Sequence, residues 1–288
     1  MSFFRIVFFS SLILLNLFAE SSVWKISDDQ NHTIYVGGTF HLLRSTDFPL
    51  PHEFEDAYRH ADYVVFETDI SLTHSAAFQH MMAQKMMLSP PQTLANRLLP
   101  KTYQTLKNYV ESQGYPMGVF EQMQPWAVSL TLSQLKLSSI GVNQEGVDGY
   151  YHQCSIRDKR PQRFLESIEE QLNILSSIGE EEEDAVILQT LKEMREFPLM
   201  ISWMVQEWRE GKTGRLEHEL VDEMRRESPK MYRTLLKQRN DAWIPKLILM
   251  LHEEKRGFVL VGAMHLLGSD GLLEQFRIRG YKTELLKE

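Results

Sequence analysis

Two histidines carry the most chemical promise in this 288-residue chain. Each stands three residues after a glycine that closes an apolar run. Ile34-Tyr35-Val36-Gly37-Gly38 leads through Thr39 and Phe40 to His41. Phe258-Val259-Leu260-Val261-Gly262 leads through Ala263 and Met264 to His265. A β-rich run that stops at glycine and then presents histidine sets an imidazole at a strand end. Two such endings, far apart in sequence, are expected to meet at one edge of one sheet. Paired imidazoles with a nearby carboxylate make either a metal site or an acid–base site.

Other groups fall at similar places. Glu67 follows the apolar run Tyr63-Val64-Val65-Phe66, where a carboxylate must be at a rim or paired, because unpaired burial is costly. Asp69 reads as a helix cap. Glu166 repeats the arrangement of strand, carboxylate and helix, beside a capping box of Ser167 and Glu170. Arg239 and Asn240 lie inside a helical stretch between Leu235-Leu236 and Ile244. A guanidinium among apolar neighbours calls for a buried partner, either a carboxylate or a substrate oxyanion.

The elements that must position these groups are legible from pattern. Trp24–Ile26 and Thr33–Val36 read as strands, and a helix opens at Pro51 and reaches His60. With the strand at Tyr63 this gives a β–α–β unit and a parallel pair. The middle reads as helices near 75–87, 91–98, 101–113 and 126–137. A glycine-marked break over 141–148 follows, with a helix restarting at Asp148. Arg163–Glu166 reads as a short strand. Glu180–Asp184 reads as an acidic first turn, favoured by the helix dipole, and Ile187, Leu188, Leu191 and Met194 follow at helical spacing. The chain closes on the His265 strand, a helix near 272–280 and a strand at 282–286. The expected fold is α/β (α+β): a central mixed, partly parallel sheet built from the N- and C-terminal halves, with a large helical insertion in the middle.

Composition narrows the function. A net charge of −8 and the absence of a basic stripe argue against a nucleic-acid partner. Cys154 is the single cysteine, which excludes an intramolecular disulfide and a cysteine-rich zinc site. Residues 1–19 read as a signal peptide: Arg5, an apolar run to Phe18, and Ala19 at the cut. Residues 20–288 are then one exported domain, periplasmic or extracellular, with no transmembrane span in the mature chain. An uncut leader would leave it membrane-associated.

From Trp24 to the end, the chain resembles the TraB/PrgY/GumN family. The matching pieces are Gly38-Thr39-Phe40-His41, Glu67-Thr68-Asp69, Leu165-Glu166-Ser167 with Glu170-Gln171, and Gln238-Arg239-Asn240 through Trp243. The closing Val261–Gly268 with Gly271-Leu272-Leu273 and Gly280-Tyr281 completes them. Gln238 stands where members often have glutamate, and Ser167 where threonine is usual. The resemblance implies a core related to erythromycin-esterase and ChaN-like proteins. It also implies a site at His41, Glu67, Arg239 and His265, supported by Asp69 and Asn240. Animal members of the family look like manganese- or cobalt-dependent peptidases, whereas the esterase relatives are treated as metal-free.

The reading that results is a secreted or periplasmic hydrolase, a divalent-metal-dependent peptidase acting on a peptide or small-molecule substrate. His41 and His265 are its expected ligands for manganese, cobalt or zinc, with Glu67 either the third ligand or the general base for a bound water. Arg239 is expected to stabilise the oxyanion or to orient Glu67. Two alternatives stand beside it. One is a metal-independent, esterase-like hydrolase with a histidine base and Glu67 as its orienting partner. The other is a protein that binds peptide or haem without turnover.

Overall fold

The computed structural model describes residues 22–287. The signal peptide expected over residues 1–19 lies outside the described residues. Eight strands occur in chain order: β1 (Val23–Ser27), β2 (Thr33–Thr39), β3 (Leu42–Arg44), β4 (Tyr63–Phe66), β5 (Val142–Glu145), β6 (Gln162–Phe164), β7 (Gly257–Gly262) and β8 (Lys282–Leu285). Six of them form one sheet in the order β6-β4-β7-β2-β1-β8. β6, β4, β7 and β2 run parallel, and β1 lies antiparallel between β2 and β8. The architecture is α/β, with a mixed sheet assembled from both ends of the chain and helices between them.

The β–α–β unit differs from its expected form in one respect. β2, the helix His52–His60 and β4 are present, and the two strands are parallel. They are not neighbours, because β7 from the C-terminal end slides between them. Gly38 pairs with Val261 on one side of β7, and Val65 with Val259 on the other. Phe258, Val259, Leu260 and Val261 are all fully buried. A run that is apolar on both pleat faces belongs in the centre of a covered sheet, and this one takes that place.

This strand order sets the geometry of one edge. At the C-terminal ends of the four parallel strands stand, in order, Glu166 after β6, Glu67 after β4, His265 after β7 and His41 after β2. Open α/β sheets bind ligands outside this edge.

Two local elements depart from the sequence expectation. The break over 141–148 contains β5, which pairs antiparallel with β3. Asn143, Gln144 and Glu145 are exposed, so the strand carries no apolar alternation. The pair docks the start of the helix Val147–Arg157: Gly146 N donates to His41 O at 2.9 Å, and Val147 N to Phe40 O at 3.1 Å. A Cβ at Gly146 would stand 1.8 Å from Phe40 O, so only glycine permits this approach. The helix expected over 91–98 shrinks to Leu94–Arg97, because the chain around Thr93 is extended.

Helices cover the sheet and form a second apolar cluster around Leu106, Val110, Phe120, Val128 and Ile187. The helix Glu183–Arg209 buries Ile187, Leu191 and Met194, while Leu188 faces out. At its far end Trp208 reaches under β2, and its indole Nε1 donates to Gly38 O at 2.6 Å. Among the described residues no helix is long and apolar enough to cross a membrane.

Candidate active site

Arg239 is the hub of the edge. It comes from the helix Gln238–Leu251, which continues directly from a π-helical turn over Arg233–Lys237. Its Nε and Nη2 clasp Glu166 at 3.1 and 2.7 Å. Nη2 also donates to Glu67 Oε2 at 2.5 Å. Nη1 donates to Leu235 O at 3.3 Å and meets His265 Nε2 at 2.9 Å. A guanidinium has five N–H groups, and these five contacts use all of them. Arg239 therefore keeps no donor for a substrate oxyanion. Its contacts tie Glu67, Glu166 and His265 into one network.

Glu67 is buried, and its second oxygen accepts from the Gly262 backbone N–H at 2.7 Å. Gln171 Nε2 adds a donor at 3.2 Å to Oε2. Burial opposes the charged form, but Arg239 first, then His265, His41 and the Gly262 amide, outweigh it and hold the carboxyl at about 2. Glu166 differs. Burial is the leading influence there and lifts its carboxyl above the usual range, with Glu67 and Glu170 adding repulsion and Arg239 opposing.

The protonation of His265 follows from its neighbours. Asn240 Nδ2 donates to the carbonyls of His265 and Asp270, at 3.1 and 2.9 Å. Its Oδ1 is then the acceptor 2.7 Å from His265 Nδ1. Nδ1 carries the proton, and Nε2 receives the Arg239 N–H. The ring packs on Trp243, with centroids 4.5 Å apart. Burial, working against the Glu67 charge, depresses His265 to about 3, so it is neutral near pH 7.

His41 makes no hydrogen bond to this network, although its charge acts on Glu67 and His265. Its side chain is 66% exposed, against 5% for His265. Its Nδ1 faces Asp148 Oδ2 at 3.0 Å, while Thr39 Oγ1 donates to Asp148 Oδ1 at 3.0 Å. The Asp148 charge raises the imidazole above its ordinary value, with burial of the pair opposing. Solvent at the open face screens part of that rise.

Asp148 was absent from the sequence-derived site. The sequence marks it only as the acidic residue opening a helix after Gly146, and its partner lies 107 positions away. Asp69 is a cap: its carboxylate accepts from Ser71 N at 3.0 Å. Asn240 fixes the His265 tautomer. The edge thus brings Glu67, Arg239 and His265 into contact, adds Glu166, and leaves His41 beside Asp148.

A divalent ion shared by His41, Glu67 and His265 does not fit this arrangement. The Nε2 lone pair of His265 and Oε2 of Glu67 are already directed at a guanidinium, and a second cation there would meet direct repulsion. His41 meets Asp148 through Nδ1 and could offer an ion only Nε2. Among the described residues no three His, Cys, Asp or Glu side chains group in a way that could hold a metal ion.

The model of the TraB/PrgY/gumN family matches residues 22–285. The chain belongs to the TraB/PrgY/gumN family. The match spans both halves of the sheet and the helices between, so this TraB/PrgY/gumN member carries the family's features across one continuous stretch. No curated protein and no solved structure matches it.

Proposed function

We propose that this TraB/PrgY/gumN protein is an exported hydrolase that cleaves an amide or ester bond in a peptide or small-molecule substrate, with His41 as general base and no metal ion. The observation that carries the reading is the His41–Asp148 pair. A carboxylate fixed by Thr39 accepts from Nδ1–H, so Nε2 is the atom that gains a lone pair once His41, held above its ordinary value by Asp148, has lost its second proton. Neutral His41 takes a proton from water at Nε2 as the water attacks the substrate carbonyl, and Asp148 stabilises the imidazolium that forms. The same imidazolium then returns the proton to the departing amine or alcohol.

Glu67, Arg239, Glu166 and His265 support this chemistry as a buried, charged frame beneath the edge. The acid–base role expected of either histidine falls to His41, because the His265 lone pair is engaged by Arg239. Export rests on the apolar leader read in the sequence.

The test is to treat the chain from Glu20 onward with chelator and present it with a mixed peptide library and simple chromogenic esters. Cleavage without metal that disappears in His41→Ala supports the assignment. Cleavage that returns only with manganese, cobalt or zinc would restore the metallopeptidase reading. A folded protein that retains a peptide but never cuts it would point to sequestration.

A further inference from the structure

Glu53 is only 1% exposed, more deeply buried than Glu67 at 5%. It sits in the first turn of the helix His52–His60, and the chemistry proposed for His41 makes no use of it. Among the described residues neither Glu53 oxygen accepts a hydrogen bond. His52 Nδ1 comes within 3.5 Å of Oε2, a contact that carries charge only when that imidazole is protonated. A buried carboxyl group without donors is costly, and closing it on a cation with N–H groups of its own recovers much of that cost. The position calls for such a cation within reach.

The first described residues lie beside this group. Val23 of β1 pairs with Gly37, and Gly37 packs so closely on Phe54 that a Cβ there would stand 2.9 Å from Phe54 Cε1. Ser22 O accepts from Gly38 N at 2.8 Å, and Ser22 Oγ donates to Trp208 O at 3.0 Å. The Trp208 ring lies 5.5 Å from that of Phe54, the residue after Glu53. Glu20 stands two residues before Ser22, an extended reach of about 7 Å. The leader read in the sequence is cut between Ala19 and Glu20. Hydrolysis there adds water across the amide, leaving a carboxylate on Ala19 and an amine on Glu20 that is largely protonated near pH 7. An ammonium brings three donors, and a carboxylate has lone pairs to accept them.

We propose that the carboxyl group of Glu53 receives the α-ammonium of the processed chain, so that loss of the leader creates a buried ion pair absent from the precursor. The proposal rests on the export reading for the position of the cut, and it is independent of the chemistry at His41. Before the cut the Glu20 nitrogen is an uncharged amide with one N–H. After it, the pair fastens the start of β1 to the helix His52–His60. β1 flanks β2, which leads through Thr39 and Phe40 to His41, so processing braces the strand that carries the proposed base.

The test follows the α-amine itself. The full chain with its leader is expressed in a secreting bacterial host, and the mass of the purified protein gives its first residue. Acetic anhydride at pH 7, read by peptide mapping, then compares labelling of the Glu20 amine with that of the lysines, in folded and guanidinium-unfolded protein. Pairing with Glu53 should slow labelling of the folded chain about tenfold, the change that one unit of raised proton affinity produces. Glu53→Gln should remove this protection. The unfolded control uses the wild-type chain, so the comparison stands even where the variant folds poorly. A Glu20 amine labelled equally fast in folded and unfolded chains, or still protected in folded Glu53→Gln, would overturn the pair and leave the export reading intact. A purified chain that keeps its leader, or begins elsewhere than Glu20, overturns the cut and the pair together.

Discussion

Arg239 Nη1 and His265 Nε2 meet at 2.9 Å, so the guanidinium occupies the direction that a metal ion or a substrate proton would need. His265 therefore acts as part of the frame. Because Arg239 also ties Glu67 and Glu166, Arg239→Met should strand two buried carboxylates and cost about 3–5 kcal/mol. Arg239→Lys, with three donors in place of a planar fork, should recover only part of that. Urea denaturation checks both, and a stable Arg239→Met protein would show that the network is dispensable.

His41 is predicted to report on Asp148 directly. In the folded chain its imidazole should titrate above the ordinary histidine value near 6.5, and Asp148→Asn should bring it back towards that value. NMR of the imidazole signals needs no substrate. With a substrate in hand, the rate should rise with pH as His41 loses its proton. Asp148→Asn should move that limb to lower pH while cutting kcat by roughly 10²–10⁴-fold. An unmoved limb would remove His41 from the base role.

Acid should weaken the fold in two stages. His265 is held down from 6.5 to about 3, so its contribution is complete above 6.5 and is lost as pH falls towards 3. Glu67, held down from 4.5 to about 2, adds a second loss between those values. In both cases the unfolded chain binds the proton first, and the combined effect is on the order of a few kcal/mol. Glu166 works in the opposite sense, so the clean comparison is between wild type and His265→Gln. The variant should show a shallower decline in urea midpoint between pH 6.5 and 3. Parallel curves would contradict the assignment.

Gly146→Ala tests the junction that delivers Asp148. Its Cβ would collide with Phe40 O, so the β3–β5 pair and the helix after it must separate. A loss of about 2 kcal/mol or more is expected, with the His41 titration shifted as in Asp148→Asn. A neutral substitution would mean that the helix start can slide without disturbing the pair.

The strand ends were readable because apolar runs stop at Gly38 and Gly262, and the parallel C-terminal edge followed from them. The position of β7 was not. Adjacency in a sheet is a tertiary choice, and the chain from 67 to 256 separates β4 from β7. β5 was missed because Asn143, Gln144 and Glu145 satisfy backbone pairing on an exposed pair with no apolar signal. Glu166 looked like a neighbour of a helix cap. The Ser167–Glu170 box is present, but the partner that defines Glu166 lies 73 residues on. Local chemistry announced which groups were unusual, and only long-range contacts told which of them touch.

Glu67 is held on one side by side chains, and on the other by the Gly262 backbone N–H. That second anchor is invisible to alanine scanning. It survives replacement by any amino acid except proline, since every other residue presents the same amide. A mutational map of this edge will therefore understate what fixes Glu67, and half of the carboxylate's orientation is inherited from the path of the main chain.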